Sequence, residues 1–323
     1  MQVACETAVA IAGAGPAGLT VARLLARAGM TVAVISPPMG TNRLEMLAPS
    51  SMGILVALEL TEIVRDPEVS RPCAGIRRRW VSRSIDYDDF LRRPGGEGFI
   101  VDRRLFDRRL RELCVSAGAR MIAGRVTAVR RTRTGFVLEI AGEESDVTLA
   151  TENVVDATGR SSALARRLGA TRRLFERLVA ERCGTEAGRE PSQEPVWLDV
   201  DVVETGWKYA VAGPDGRSES WAVHRQARRS GNSGALVNAS SVTLSHAAGA
   251  GWIAVGDAAA AFDPITSQGL ANALSSALVA AGAIVSAGGV SDASAANYSD
   301  IISNTFSYSE VGRAAVYCDM RAL

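Results

Sequence analysis

The stretch GAGPAG, residues 13–18, is the feature of this sequence that most restricts its fold. It follows the apolar run AVAIA at residues 8–12 and precedes a helical pattern, LTVARLLARA, that ends at Gly29. A second apolar run, TVAVI, follows at residues 31–35. A strand, a glycine turn, a helix and another strand make a βαβ unit, which favours a parallel sheet. The sequence therefore predicts an α/β fold.

Each glycine of this turn has a mechanical reason in a dinucleotide site. Gly13 permits the tight turn, Gly15 lets a pyrophosphate approach the backbone, and Gly18 lets the helix pack closely on the strand. The helix N-terminus offers N–H groups and a partial positive charge to phosphates. Pro16 suits the first helical turn, because its missing N–H has no partner there. The spacing predicts a dinucleotide site; the alternative is a glycine turn kept for packing.

The acid that usually closes the second strand of such a unit is absent. That acid bonds a ribose hydroxyl, and its place here falls on Ser36. A serine hydroxyl bonds a ribose less strongly than a carboxylate does. Glu45, in NRLEML, is an alternative ribose ligand, although it equally fits an ordinary surface or salt-bridge residue.

A second motif, GDAAAAFDPITSQGLANAL at residues 256–274, joins a short apolar strand to a long, nearly uncharged helix. A carboxylate at the end of an apolar strand, Asp257, is costly to bury without partners, and a ribityl hydroxyl of a flavin is such a partner. Gly269 lets the helix backbone approach a ring. A helix beginning near Ser267 aims its N–H groups at the flavin's pyrimidine edge, where negative charge gathers on reduction. The alternative is an aspartate that caps the helix.

The composition of the chain argues against several classes of protein but does not indicate a function. The chain has 36 basic and 35 acidic residues, so it has no electrostatic footprint for nucleic acid or an anionic membrane. Its scattered cysteines show no C-x-x-C spacing, which predicts no disulfide framework and a cytoplasmic location. The start of the chain is a poor signal peptide. The uncharged stretch 270–289 is rich in Ala, Ser and Gly, so we expect a buried or half-buried helix rather than a membrane span.

Dinucleotide-type segments lie at the start, middle and end of the chain, with alternating segments between them. RVTAVRRT, FVLEIAG and DVTLAT predict an antiparallel meander, and NVVDATGRSS predicts a separate apolar strand that enters a second glycine turn. Residues 163–178 are expected to be helical, and residues 196–225 are expected to form a second antiparallel sheet. We therefore expect two structural domains built from a discontinuous chain.

GAGPAG, DATGRSS and GDAAAAFDPITSQGLANAL occur in the order and spacing of FAD-dependent monooxygenases of the hydroxylase type, which share a glutathione-reductase-like FAD fold. The chain resembles this family over nearly its whole length. It most resembles the branch with flavin-dependent tryptophan halogenases and the flavoproteins that mature cysteine tryptophylquinone enzymes. The resemblance implies a Rossmann-like FAD-binding domain, with a parallel sheet and a β-meander, and an inserted antiparallel-sheet substrate domain. The expected boundaries are 1–75, 101–165 and 246–290 for the FAD-binding domain, 76–100 and 166–245 for the substrate domain, and 291–323 for a C-terminal helical tail.

The resemblance also implies cofactor roles. Arg103 is expected along the cofactor, or else on the surface of its helix. Asp156 and Gly159 are expected in the second turn near the FAD, or else in a simple strand-end turn. The full set of residues expected at the cofactor is Gly13, Gly15, Pro16, Ala17, Gly18, Ser36, Arg43, Arg103, Asp156, Gly159, Gly256, Asp257, Pro264, Ser267, Gln268 and Gly269.

Catalytic residues are not determined by these motifs. Halogenases of this branch use a lysine placed early in the chain, whereas the only lysine here, Lys208, lies in GWKYAVAG. Lys208 and His224 are weak catalytic candidates, each with a structural role as the alternative. Neither His224 nor His246 has neighbours at metal-ligand spacing, so no metal site is expected. Four aromatic residues of the same predicted sheet form either a wall for a planar substrate or ordinary core: Trp197, Trp207, Tyr209 and Trp221.

The sequence therefore predicts an FAD-dependent monooxygenase that hydroxylates an indole- or phenol-like substrate through a flavin C4a-hydroperoxide, shielded from water by the protein. Electrons are expected from NAD(P)H that docks transiently or from a separate flavin reductase, since we see no second nucleotide-binding glycine turn. The alternatives are a flavin-dependent halogenase and a maturation flavoprotein that modifies a tryptophan of a partner polypeptide. Neither a nucleic acid nor a membrane is expected as a partner.

Overall fold

A computed structural model of the chain describes residues 5–37, 42–79, 85–143, 145–186, 194–204, 206–225 and 236–321. Parts of the predicted domains, at 38–41, 80–84, 187–193 and 226–235, lie outside these residues. The helices, in chain order, are α1 Pro16–Arg27, α2 Met52–Ala57, α3 Thr61–Arg65, α4 Arg103–Ser116, α5 Ala163–Arg167, α6 Gly269–Ala287 and α7 Asp292–Arg321. The strands, in chain order, are β1 Cys5–Ala12, β2 Val32–Ser36, β3 Leu44–Leu47, β4 Ser70–Arg79, β5 Asp86–Asp89, β6 Gly98–Asp102, β7 Arg120–Ala123, β8 Arg125–Arg131, β9 Phe136–Ala141, β10 Val147–Asp156, β11 Arg172–Leu174, β12 Leu178–Glu186, β13 Val196–Val203, β14 Gly206–Ala212, β15 Ser218–Arg225, β16 Leu236–Asn238, β17 Val242–Leu244, β18 Ala248–Gly249, β19 Trp252–Ala254 and β20 Ala260–Ala261.

The first sheet has eight strands and is built around β1. Strands β7, β2, β1, β10 and β19 lie side by side and parallel, and β18 continues the sheet antiparallel to β19. Val9, Ala10 and Ile11 of β1 are fully buried, as expected for a parallel strand covered on both faces. Helix α1 packs against both α4 and α6. The predicted parallel sheet is confirmed.

The predicted β-meander is also present, with one correction. Strands β8, β9 and β10 pair antiparallel in succession. DVTLAT and NVVDATG, predicted as two strands, belong to one strand of ten residues, β10. The first half of β10 pairs with β9 and the last residues pair with β19, while β1 pairs with most of its length. This continuous partner leaves no place for a turn.

The helix predicted at 163–178 is much shorter than expected. Helix α5 ends at Arg167, and Gly169 follows soon after with a φ of +105°, a backbone conformation in which glycine commonly ends helices. Residues 172–174 then form β11, which belongs to a three-stranded sheet with β17 and β20. The arginine-rich sequence is therefore helical only in its first turn and a half.

The third sheet has nine strands and corresponds to the antiparallel sheet predicted for the substrate domain. Its order is β16, β12, β15, β14, β13, β4, β6 and β3, with β5 paired to β4. All neighbours are antiparallel except β13 and β4, which are parallel. Strand β3 and residues 70–75 of β4 lie in a segment that the sequence assigned to the FAD-binding domain, and β6 spans the predicted boundary between residues 100 and 101; all three strands pair into this sheet. The domain boundaries themselves remain a prediction.

Two long helices complete the fold. Helix α6 is the one helix in the described part of the chain that is long and apolar enough, by length and composition alone, to cross a bilayer. It packs on α1 and α7, and Leu270, Leu274 and Ile284 join the main core, which gives it the half-buried environment predicted. Helix α7 occupies the tail that was predicted to be helical and buries Tyr298 and Phe306.

Candidate functional site

A cleft of about 330 Å³ lies between the carboxyl ends of the parallel strands and one face of the nine-stranded sheet. One side is formed by the glycine turn that begins α1 and by the turn that follows β10. A second side is formed by residues of the segment 255–273, and a third by β3, β13, β14 and β15. Ligands of open parallel sheets bind outside the carboxyl ends of the strands, so this cleft is the candidate functional site.

Most residues predicted at the cofactor meet in this cleft, although their segments are far apart in the chain. Those that line it are Gly15, Pro16, Ala17, Gly18, Arg43, Arg103, Gly159, Gly256, Asp257, Pro264, Ser267 and Gly269. The predicted residues that do not line it are Gly13, Ser36, Asp156 and Gln268.

The first glycine turn is tightly packed except at Gly15. A Cβ atom at Gly13 would lie 2.1 Å from the carbonyl oxygen of Ala157, and the φ of Gly13 is +114°. A Cβ at Gly18 would lie 2.1 Å from the carbonyl oxygen of Gly13. A Cβ at Gly15 would meet no atom within 4 Å, and no side chain caps the first turn of α1 beside it. This open space next to uncapped N–H groups fits a pyrophosphate.

Asp156 holds the second turn together from within. Its Oδ1 accepts hydrogen bonds from the N–H and hydroxyl of Thr158, at 2.9 and 2.6 Å. Its Oδ2 accepts hydrogen bonds from the N–H groups of Leu164 and Ala165, at 2.9 and 2.7 Å. The buried carboxylate is thus fully used by the protein and does not line the cleft, so Asp156 lies in the predicted turn while its contact with the cofactor stays a prediction. Gly159, with a φ of +63°, does line the cleft.

Asp257 is paired with Arg160, a residue that the sequence analysis missed. The Nε of Arg160 lies 3.3 Å from Oδ2 of Asp257. Its other nitrogens donate to the carbonyl oxygens of Ser240 at 2.6 Å and Phe262 at 2.9 Å. Arg160 therefore connects the second glycine turn to the late motif, and both charged residues line the cleft. The only local signal was its position directly after Gly159 in DATGR.

Arg103 is held at the cleft by two carboxylates. Its Nε and one Nη donate to the two oxygens of Asp107, each at 3.0 Å, and its other Nη lies 2.8 Å from Oε1 of Glu45. Arg43 pairs with the same oxygen of Glu45. Burial lowers the pKa of Arg103, but the charges of Glu45 and Asp107 outweigh burial and raise that pKa above its ordinary value. Arg103 therefore stays charged beside the cleft.

Glu45 lines the cleft but is not a free carboxylate. Burial alone would raise its pKa, and the neighbouring charges of Arg103 and Arg43 lower the pKa below its ordinary value instead. Both arginines already bind the same oxygen of Glu45. We infer that Glu45 organises the two arginines, which leaves little support for the ribose contact considered from the sequence.

Two other predicted contacts are occupied by the protein itself. The hydroxyl of Ser36 donates to the next residue's carbonyl at 3.0 Å, and Oε1 of Gln268 accepts a hydrogen bond from Ser309 at 3.2 Å. Ser267, with a φ of +49°, leads directly into α6 and lines the cleft. A Cβ at Gly269 would meet no atom within 4 Å, so a flat ring has room to approach the start of α6.

The wall of the cleft opposite the glycine turns is aromatic. Trp207, Tyr209 and Trp221 line it, and the rings of Trp207 and Tyr209 lie 5.8 Å apart. Trp197, the fourth aromatic residue considered from the sequence, does not line it, because successive side chains of a strand point to opposite faces. The ring of Trp197 instead meets that of Tyr87 edge-on at 5.5 Å.

The two weak catalytic candidates do not line the cleft. Lys208 is exposed and lies between two cleft-lining residues of β14, so strand alternation points it to the opposite face of the sheet. His224 follows buried Val223 on β15 and shares the outer face for the same reason. Both candidates are therefore corrected. Among the residues that the structure describes, no group of His, Cys, Asp or Glu side chains is placed to hold a metal ion.

A second residue missed from the sequence is Asp263, at the junction of the late motif, the aromatic wall and α7. It is only 1 % exposed and lines the cleft. Its Oδ1 accepts a hydrogen bond from the N–H of Ile265 at 3.0 Å, and its Oδ2 accepts one from the hydroxyl of Tyr317 at 3.0 Å. The indole N–H of Trp207 donates to the Tyr317 oxygen at 3.1 Å. Burial raises the pKa of Asp263 to about 6.

The described residues fit FAD at this cleft. The room at Gly15 would accept the pyrophosphate, and Asp257, which lines the same cleft, would be available to a ribityl hydroxyl. The opening at Gly269 leaves space for the ring system facing the aromatic wall. When bound, FAD would supply redox chemistry and an electrophilic oxygen that no side chain offers.

Comparison with protein families and curated proteins gives a consistent picture. Residues 6–214 match the family described as FAD binding domain. Over 221 residues the chain is 25 % identical to digeranylgeranylglycerophospholipid reductase 1 of Methanosphaera stadtmanae, covering 63 % of this chain and 51 % of that protein. Over 185 residues it is 30 % identical to a 1H-pyrrole-2-carbonyl (peptidyl-carrier protein) chlorinase of Pseudomonas fluorescens, covering 50 % of this chain and 41 % of that protein. The chain thus spans about half the length of these curated relatives.

Solved structures share the fold. CmlS, a flavin-dependent halogenase, superposes with a TM-score of 0.80 at 22 % identity, covering 94 % of this chain and 62 % of its own. QhpG, a peptidyl tryptophan dihydroxylase essential for tryptophylquinone cofactor biogenesis, superposes with a TM-score of 0.69 at 24 % identity, covering 86 % of this chain and 66 % of its own. At these identities the likeness concerns the fold.

Proposed function

This chain belongs to the FAD binding domain family, and from that premise we propose that it is an FAD-dependent monooxygenase that hydroxylates an electron-rich aromatic ring of the indole or phenol class. The observation that carries the proposal is the composition of the cleft. One side offers the open glycine turn and the Asp257–Arg160 pair, and the facing side is the wall of Trp207, Tyr209 and Trp221. A planar substrate between them lies against the cofactor ring on one side and aromatic rings on the other.

Each side of the cleft has a distinct task in this proposal. The N-terminus of α1 and the buried arginine Arg103 provide positive charge for the cofactor's phosphates. The aromatic wall excludes water from the reacting atoms and orients the substrate ring. Bound FAD, once reduced, supplies an electrophilic oxygen derived from O2. Electrons enter from NAD(P)H or from a separate flavin reductase.

The first experiment purifies the full chain and titrates it with FAD. We expect a yellow protein, with the fluorescence of the cleft tryptophans quenched as the cofactor binds. NADH oxidation is then followed with indole, phenol and tryptophan, with and without an added flavin reductase. A product one oxygen atom heavier than its substrate supports hydroxylation. A chain that binds no FAD at saturating supply, or oxidises NADH without any oxygenated product, contradicts the proposal.

Halogenation is less well supported by the cleft. The lysine expected of a halogenase is missing from its walls, since Lys208 lies on the outer face of β14. We therefore expect chloride or bromide, added to the same assay, to leave the product unchanged. A halogenated product would favour halogenation over hydroxylation.

The alternative of a tryptophan-modifying enzyme that acts on a polypeptide has one specific observation in its favour. Val237 and Asn238 of the short strand β16 border the cleft, and Leu236 and Val237 are 54 % and 41 % exposed. An exposed apolar strand beside the cleft suits an extended chain better than a free small molecule. Turnover of a tryptophan-containing peptide, with free tryptophan and indole left unchanged, would favour this reading.

A further inference from the structure

One hydrogen-bonded chain joins three parts of the molecule at the cleft. Trp207 from the aromatic wall donates to the hydroxyl of Tyr317 on α7, at 3.1 Å. Tyr317 donates in turn to Oδ2 of Asp263, at 3.0 Å. Asp263 lines the cleft and is only 1 % exposed, so this chain ends at a carboxyl group sheltered from bulk water.

Resting on the function proposed above, we propose that Asp263 is the proton acceptor of the hydroxylation and that Tyr317 is the residue that positions it. A buried carboxyl group that uses one oxygen for a backbone N–H and the other for a tyrosine hydroxyl still has lone pairs for a further proton. An ordinary cap of the 264–266 turn would need only the bond to the N–H of Ile265, so the bond from Tyr317 to the second oxygen goes beyond capping.

The hydroxylation would use reduced flavin and O2 as co-reactants: the flavin is oxidised by two electrons, one oxygen atom goes to the substrate, and the other leaves as water with two protons. The attacked ring carbon forms its C–O bond with a pair of ring electrons and retains its hydrogen. Loss of that hydrogen as a proton breaks the C–H bond and returns the bonding pair to the ring, which restores aromaticity. The proton forms an O–H bond on Asp263 and later returns to solvent.

The charges around Asp263 suit a group that works near neutral pH. Burial raises its pKa to about 6, while the Ile265 N–H, Tyr317 and Arg313 lower it and Glu176 raises it. Tyr317 and Arg313 face Asp263 from α7, and Arg313 is tied to Glu176 at 2.7 Å. The carboxylate fraction therefore grows as pH rises through about 6, and a rate that needs this acceptor rises over the same range.

The first test reads the carboxyl group directly and does not depend on turnover. Infrared difference spectra of the full chain, recorded as pH is raised from acid to neutral, should show the band of a protonated carboxyl group disappearing near pH 6. Asp263→Asn should remove that band. Asp300→Asn, at an exposed position of α7, is the matched control and should retain it. A band that persists in Asp263→Asn overturns the assignment.

The second test separates positioning from mere packing. Tyr317→Phe removes the hydrogen bond that lowers the pKa of Asp263, so the infrared midpoint and the acid limb of the pH–rate profile should both move to higher pH. Tyr308→Phe, on the same helix but 83 % exposed, should leave both unchanged. If neither midpoint moves in Tyr317→Phe, Tyr317 does not position Asp263. The Tyr317→Phe variant also tests the proposal if Asp263→Asn fails to fold.

The third test is kinetic, with indole as the probe substrate. Asp263→Asn should lower kcat by about 10²-fold or more and abolish the acid limb of the profile, with FAD still bound. If wild-type protein oxygenates none of the aromatic probes, the proposed function fails while the infrared titration still stands. If Asp263→Asn keeps wild-type turnover and the same pH profile, this inference fails and the proposed function survives.

Discussion

At the scale of single residues, the glycines of the first turn divide into two that the fold requires and one, Gly15, beside which the fold leaves open space. Gly13 and Gly18 have backbone oxygen where a Cβ would lie, whereas Gly15 has open space. The sequence motif assigned the roles of these three glycines by analogy, and the structure adds the atoms that fill the space beside Gly13 and Gly18. The structure therefore turns one motif into two separable hypotheses.

Gly15→Ala and Gly18→Ala test that separation. We expect Gly18→Ala to destabilise the protein by about 1–3 kcal/mol, because its Cβ would overlap the Gly13 carbonyl. We expect Gly15→Ala to change the free energy of unfolding by no more than about 0.5 kcal/mol while weakening FAD binding, because its methyl group would enter the space suited to pyrophosphate. Urea unfolding without cofactor and FAD titration measure the two effects. Equal affinity for FAD in wild type and Gly15→Ala would place the pyrophosphate elsewhere.

For Asp156 we predict the opposite: its substitution should lower the stability of the protein and not the affinity for FAD. Asp156→Ala leaves three backbone N–H groups and one hydroxyl without their acceptor, so we expect a loss of at least about 2–3 kcal/mol of stability. Asp156→Asn, which retains one acceptor oxygen, should lose less. Thermal and urea unfolding compare the series. Weakened FAD binding with unchanged stability would instead make Asp156 a direct cofactor ligand.

The residues that sequence analysis missed share a physical cause. Arg160 binds carbonyl groups 80 and 102 residues away in the chain, and Tyr317 is separated from Trp207 by 110 residues and from Asp263 by 54. The spacing of residues in the sequence indicates only contacts between residues close in the chain, such as those one helical turn apart or two apart on a strand. Asp257 was found because it ends an apolar strand, which is a local signal, whereas Asp263 resembles an ordinary turn residue before proline.

At the scale of elements, hydrophobic periodicity predicted a strand or helix well where that element packs against the same neighbour along its whole length. Periodicity failed at β10, which pairs along one edge first with β9 and then with β19. This change of partner gave the sequence the pattern of two strands. Periodicity also failed after α5, where Gly169 ends the helix although the arginines continue. Helix α7 was predicted from its pattern, but its role was not, because its contacts with the 263–268 segment are tertiary.

Tyr298 tests how α7 is fixed to the parallel sheet. Its buried hydroxyl donates to the carbonyl of Ala254, the last residue of β19, at 2.7 Å. Tyr298→Phe leaves that carbonyl without this donor, so we expect a loss of about 1–2 kcal/mol in the free energy of unfolding. Tyr308→Phe, at a largely exposed position of the same helix, should change it by less than about 0.5 kcal/mol. Equal stability of the two variants would show that apolar packing alone anchors α7.

At the scale of the whole molecule, the interleaved order of segments predicted two sheets that meet over a site. Which sheet a short segment joins was not predictable in every case: β3, assigned to the FAD-binding domain, enters the large antiparallel sheet because it pairs with β6, which in turn pairs with β4. Such pairing depends on register across distant parts of the chain, which composition does not encode. The start of β3 and the start of α4 bring Arg43, Glu45 and Arg103 into one ion-paired cluster at the cleft.

Two carboxyl groups that line the cleft, Glu45 and Asp263, give the stability of the whole protein a pH dependence with two opposite contributions. The pKa of Glu45 is lowered on folding, so its contribution is present near neutral pH and is lost as pH falls into the acid range. The pKa of Asp263 is raised to about 6 by burial, so its contribution is present below its unfolded pKa and is lost as pH rises through about 6. Acid therefore weakens the protein through Glu45 and strengthens it through Asp263.

Asp263→Asn isolates the second contribution. From the difference between about 6 and the ordinary value of 3.8, the variant should gain about 2 kcal/mol relative to wild type between pH 4 and pH 7, whatever its absolute stability. Urea unfolding of both proteins across this range measures the difference, and Asp300→Asn, at an exposed site, should show none. A difference that does not vary with pH would mean that Asp263 is already ionised in weak acid, and a proton acceptor tuned to neutrality would then have to be sought elsewhere in the cleft.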